Sequence, residues 1–254
     1  MSEIPVLSLI FLLGLLFGSF YNVVGLRVPK GESIIQPPSH CPGCQQKLSA
    51  CDLIPVLSYL LAKGKCRSCQ MTISPIYPVM ELFTGIFFAL TYWRFDYSTE
   101  TLVGLGFVSL LVIITVSDLK YRLIPDKVVF PFLGLFLVAR FFIHPTQTYW
   151  MHLLAMAIGF GLFLLIAIVT RGEGMGGGDI KLFAVIGLVL GVKLLFVSIF
   201  LSSLLGALVG ILLILLKKAN RKSSIPFGPF IAVGSLLAYL YGEAITTWYV
   251  ALLF

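Results

Sequence analysis

The chain has 254 residues, 59% of them hydrophobic and only 11% charged, with a mean hydropathy of +1.02. Soluble domains carry about 25% charged residues, so the composition excludes an ordinary globule in water, a disordered chain and a nucleic-acid-binding tail. The net charge of +7 fits basic loops held on the cytoplasmic side of a membrane better than nucleic-acid binding. At about 20 residues per span, the chain has room for about eight membrane helices and one modest polar region.

Taken in chain order, the first apolar run covers residues 5–26. No basic residue precedes it, and Arg27 and Lys30 follow it. A cleavable signal peptide carries its charge first, so this is read as a retained helix with its N-terminus outside. Residues 28–75 form the one sizeable polar segment and hold all five cysteines. The remaining spans are expected at 76–92, 101–117, 128–143, 150–170, 180–190, 194–216 and 229–249. The sixth is short, with a turn at Gly191-Val-Lys193. The expected class is an all-α polytopic membrane protein with a cytoplasmic zinc-ribbon-like loop. With this topology 15 of the 18 Lys+Arg fall in inner loops, which supports the orientation.

Cys41-Pro-Gly-Cys44 and Cys66-Arg-Ser-Cys69 form two C-x-x-C knuckles. Two such knuckles supply the four thiolates of a closed, structural tetrahedral zinc site. Two disulfides or a redox-active pair are the alternatives, and a cytoplasmic location disfavours stable disulfides. Cys51 stands outside the pairs and is read as a plain thiol.

Carboxylates are scarce. Glu3, Glu32, Asp96, Glu100, Glu173 and Glu243 are expected as solvated charges, Asp52 as a loop or capping residue and Asp126 as a helix N-cap. Glu81 lies about one turn inside the second span, where an ionisable group is usually paired or functional. Asp118 closes one span and Asp179 opens another on the same side. Two adjacent carboxylates sharing a proton are the machinery of an aspartic protease. Gly176-Gly177-Gly178 would give an active-site loop that lets a substrate strand approach closely. Taken singly, Asp179 is equally an N-cap and Asp118 an interfacial polar residue. No H-E-x-x-H, G-x-S-x-G or Walker motif is present.

These residues resemble the type IV prepilin peptidases. The likeness begins at Gly18-Ser-Phe-Tyr-Asn22-Val-Val-Gly-Leu-Arg27 and continues through both cysteine pairs and Ile54-Pro-Val-Leu-Ser-Tyr59. It includes Tyr77-Pro-Val-Met-Glu81-Leu-Phe-Thr-Gly85, Asp118 before Pro125-Asp126, and Gly174-Met-Gly-Gly-Gly-Asp179-Ile-Lys181-Leu182. It closes with Pro226-Phe-Gly-Pro-Phe230. The resemblance implies a GxGD aspartic endopeptidase of the bacterial cytoplasmic membrane, with Asp118 and Asp179 catalytic and Lys181 in the active-site loop. Its substrates would be prepilins or pseudopilins of type IV pili, type II secretion or competence. Members with a long first loop are often also S-adenosylmethionine-dependent N-methyltransferases, for which Asn22, Arg27 and Glu81 are the candidates here. No glycine-rich Rossmann fingerprint for that cofactor is visible.

The expected organisation is therefore a first transmembrane helix (1–27), a cytoplasmic zinc-binding loop and methyltransferase region (28–75), and a transmembrane peptidase core (76–254). The leader of such a substrate is basic, so Glu173 or Asp126 is expected to matter for binding it. A GxGD protease with another membrane substrate, a small polytopic transporter and a thiol oxidoreductase remain as alternative readings.

Overall fold

The computed structural model describes residues 3–144, 147–172, 176–218, 220 and 225–253, without the side chains of residues 3 and 253. Glu173, Gly174, Met175 and the Glu3 side chain, all named above, lie outside the described residues. The helices are α1 (Glu3–Arg27), α2 (Leu57–Leu61), α3 (Ile76–Phe95), α4 (Thr99–Tyr121), α5 (Asp126–Phe142), α6 (Tyr149–Val169), α7 (Gly177–Leu215) and α8 (Gly228–Leu253). Among the described residues there are besides only two short 3-10 helices (Val28–Lys30 and Ala50–Leu53) and isolated β-bridges, so the all-α expectation holds.

Six helices, all but α2 and α5, are long and apolar enough to cross a membrane. The difference from eight has two causes. Helix α5 has only 17 residues, and the expected sixth and seventh spans are the two halves of α7. The halves meet at Gly191, whose φ of 76° and ψ of 174° are not helical. Glycine adopts positive φ without a Cβ penalty, and the Gln147 side chain occupies the space a Cβ would need.

The carbonyls just before this break carry side-chain donors. Arg140 Nη2 donates to Val189 O at 2.6 Å, and His152 Nδ1 lies 2.9 Å from Leu188 O. Arg140 also grips Glu100 with both terminal nitrogens, at 2.6 and 2.7 Å, and the Tyr239 hydroxyl donates to Glu100 Oε1 at 2.7 Å. Glu100 is therefore not the solvated charge expected from the sequence. It is buried, because a bidentate guanidinium and a hydroxyl replace its hydration.

Helices α4 and α7 are the most buried of the six. Phe107, Leu110, Leu111 and Ile114 of α4 are fully buried, as are Leu182, Ile186 and Leu188 of α7. Helix α4 packs against α1, α3, α5 and α8, while α7 packs against α5, α6 and α8. Helices α1 and α6 leave leucines such as Leu9, Leu12 and Leu165 exposed, as a lipid-facing surface requires. The central position of α4 and α7 matters because each carries one of the two aspartates.

Candidate active site, cysteine cluster and cavity

Asp118 lies in the last turn of α4 and is buried. Its Oδ2 accepts the backbone N–H of Gly228, the first residue of α8, at 2.7 Å. A Cβ on Gly228 would stand 2.8 Å from that oxygen, so only glycine allows the approach. Asp179 is the third residue of α7, and its Oδ2 accepts the N–H of Gly176 at 3.2 Å. The N-cap position belongs to Gly176, and Asp179 reaches back to it from inside the first turn. The two carboxylates are near enough to interact electrostatically.

Gly177, Gly178 and Lys181 belong to α7 itself, so the expected glycine loop is instead a helix start. Gly178 packs directly on Ile124, where a Cβ would meet the Ile124 Cβ at 2.6 Å. Lys181 Nζ lies 2.6 and 2.7 Å from the two oxygens of Asp126. Asp126 is thus the first residue of α5, with Pro125 as N-cap, and not an N-cap itself. Its carboxylate is paired with Lys181 at the exposed surface. The sequence reading assigned Gly228 no role. The proline on its C-terminal side, Pro229, was the available signal for a helix start.

The cysteine knuckles have the same local design. In the first, Cys41 N donates to Gln46 O at 3.0 Å and Gln45 N to Cys41 O at 2.9 Å. In the second, Cys66 N donates to Met71 O at 2.9 Å and Gln70 N to Cys66 O at 3.0 Å. The Sγ atoms of Cys41 and Cys69 are 3.7 Å apart and those of Cys44 and Cys66 are 3.9 Å apart. All four sulfurs lie within 4.8 Å of one another. A tetrahedral zinc with bonds of about 2.3 Å needs sulfurs about 3.8 Å apart, so the cluster fits that ion. Backbone N–H groups of Cys69 and Ser68 pull the Cys66 thiol down to about 6. The Met71 N–H acts in the same direction on Cys69, but desolvation and the three neighbouring thiols push that thiol up to about 11. Four cysteine sulfurs at this spacing could hold one metal ion.

Asp52 braces the loop. The Ser49 hydroxyl and backbone N–H donate to it at 2.6 and 3.1 Å, and Arg67 lies 3.2 Å away. The Ser49 hydroxyl, then its N–H, with Arg67 adding, hold the Asp52 carboxyl below its usual range. Cys51 is exposed and outside the cluster, as expected.

A cavity of about 600 Å³ lies between the cysteine loop and the ends of α1, α3 and α4. Asn22 and Arg27 of α1 and Glu81 of α3 all line it; Asp118 and Asp179 do not. Arg27 is committed to the loop, donating to the carbonyls of Ser33 and Pro37 at 3.0 and 2.7 Å. Its role here is to clamp the chain that follows α1.

The bacterial peptidase A24 N-terminal domain matches residues 12–95, and the type IV leader peptidase family matches residues 105–211. The chain is similar to a prepilin leader peptidase/N-methyltransferase of Bacillus subtilis, with 46% identity over 96% of this chain and 98% of the relative. Proteins of the same name from Aeromonas hydrophila and Neisseria gonorrhoeae are 35% and 34% identical. They cover 95% and 96% of this chain, over 93% and 96% of their own lengths. No solved structure matches the chain.

Proposed function

The chain belongs to the type IV leader peptidase family, and from that premise we propose a membrane aspartic endopeptidase that removes the basic leader of type IV prepilins or pseudopilins and then N-methylates the new N-terminus. The observation that best supports the first activity is that Asp118, in the last turn of α4, and Asp179, in the first turn of α7, are near enough to interact electrostatically.

The two carboxylates act as one unit. At close range only one of them ionises, so the pair shares a proton. The ionised group takes a proton from water as the water oxygen attacks the scissile carbonyl. The neutral group gives its proton to the carbonyl oxygen. As the tetrahedral intermediate collapses, a proton passes to the leaving amine. Gly228 and Gly176 fix one oxygen of each carboxylate through backbone N–H groups.

Depth supports the substrate class. A prepilin leader is basic and followed by an apolar helix, so its cleavage point lies at the membrane interface. Asp118 and Asp179 stand at helix ends and meet that depth. The charge pattern puts this end on the cytoplasmic face and the N-terminus outside. The chain is then a multi-pass protein of the bacterial inner membrane. Residues 1–27 form its first helix, 28–75 its zinc-binding and methyl-transfer loop, and 76–254 its peptidase core.

The cavity supports the second activity. Its volume is within the usual range of small-molecule sites, and its walls carry both a buried carboxylate and an unpaired buried amide oxygen. Residues of the fit expected for S-adenosylmethionine are thus present, and that cofactor would supply the methyl group. Zinc held by Cys41, Cys44, Cys66 and Cys69 would fix the loop beside the cavity.

The test is direct. The purified protein is mixed with a prepilin in detergent, and leader loss is followed by mass spectrometry. Asp118→Asn and Asp179→Asn should each abolish it, and full activity in either would overturn the aspartic mechanism. A gain of one methyl on the mature chain, only with S-adenosylmethionine present, tests the second activity.

A further inference from the structure

Asn22 and Glu81 meet at the same cavity with complementary needs. Asn22 is 1% exposed. Its Nδ2 donates to the Tyr77 carbonyl at 3.2 Å, which fixes the amide, since the reverse orientation would set two oxygens against each other. Its Oδ1 is left buried with no partner. Glu81 is 7% exposed. Its Oε2 accepts the Val56 N–H at 2.7 Å, and Ser19 lines the same cavity. Among the described residues no lysine or arginine pairs with it; the ion pairs formed are between other residues. Six basic side chains also line the cavity: Arg27 and Arg67 are spent on loop carbonyls and on Asp52, Lys30 pairs with Glu32, and Lys47, Lys65 and Lys120 form no ion pair with Glu81 among the described residues.

The Glu81 carboxylate is held firmly in place. Val56, which donates to it, has φ 62° and ψ −53°, a conformation that a β-branched residue adopts only when its surroundings impose it. A buried carboxylate without a cation and a buried acceptor without a donor, on one cavity wall, are both satisfied by a cation that carries several N–H bonds.

We propose that Asn22 and Glu81 together form a binding site for a primary α-ammonium group at the cavity wall. The inference rests on the methyl-transfer reading above. Two sources share this chemistry: the new N-terminus of the cleaved chain, and the amino-acid end of S-adenosylmethionine.

The experiment measures binding, without turnover, to the full-length protein in nanodiscs. The first arm compares a peptide of the mature prepilin N-terminus carrying a free α-amine with its N-acetylated form. The second compares S-adenosylhomocysteine with 5′-methylthioadenosine, which lacks the amino-acid end. Glu81→Gln and Asn22→Leu should weaken the amine-bearing member of one pair by about tenfold or more, the scale of a lost charge-assisted hydrogen bond. Its amine-free partner should change by less than about twofold. The arm that responds identifies the source. Equal losses within both pairs would mean a packing role only, and no loss in either would mean a site filled by water; each overturns the proposal. Amine selectivity in a protein that never methylates would refute the methyl-transfer reading while leaving the ammonium site standing.

Discussion

The backbone N–H of Gly228 donates to Oδ2 of Asp118 at 2.7 Å, joining residues 110 positions apart. The bond docks the start of α8 on the last turn of α4 and fixes one oxygen of the Asp118 carboxylate. An added methyl group at residue 228 would meet the Asp118 carboxylate and its Cβ at once. Gly228→Ala should therefore lower kcat for leader cleavage by about tenfold to a hundredfold, the cost of a displacement of about 1 Å at a reacting group. Methyl transfer to a pre-cleaved peptide serves as the control for folding. Unchanged cleavage would mean that the Asp118 position tolerates the shift.

The two aspartates should behave as a single unit in mutant kinetics. Asp118→Asn and Asp179→Asn should each reduce cleavage by about a thousandfold or more, and the double variant should be scarcely worse than either single one. Initial rates on a prepilin substrate measure this. Additive losses would show that the carboxylates act independently.

The cysteine cluster should bind about one zinc per chain, as its geometry suits a closed tetrahedral site. Cys66→Ser should lose most of that metal, read by elemental analysis. Because Cys41 and Cys66 line the cavity, and the aspartates do not, methyl transfer should fall further than cleavage. Equal loss of both activities would place the metal in support of the whole fold.

At the opposite end of the first half of α7, the Arg140–Glu100 pair is a stability element. Arg140→Ala strands a buried carboxylate and removes the donor to the Val189 carbonyl. The expected loss is about 3–5 kcal/mol, seen as a lowered midpoint of thermal unfolding. Glu100→Gln, which keeps two acceptor or donor atoms near Arg140 and Tyr239, tests the same contact more mildly. A midpoint unaffected by Arg140→Ala would show that solvent reaches Glu100.

Much of this molecule was legible in the sequence because the signals are local. Apolar runs of span length mark helices wherever they fall, and every expected run is helical. Paired C-x-x-C knuckles fold their own turns, and their four sulfurs do converge. Asp118 and Asp179 stood out because a chain with 11% charge has few acids to examine. Glu100 was misjudged and Asp126 half understood for the opposite reason: their partners, Arg140 and Lys181, come from other helices.

The amino-acid sequence by itself determined how many apolar segments there are, which loop gathers the thiols and which carboxylates are candidates for chemistry. Composition and spacing act within a few turns of chain, so they suffice for that. Only the tertiary structure decided that α4 and α7 form the centre, that Gly228 reaches Asp118, and that Asn22 and Glu81 share one cavity. Those relationships depend on how helices pack side by side, and packing joins positions that no local pattern connects.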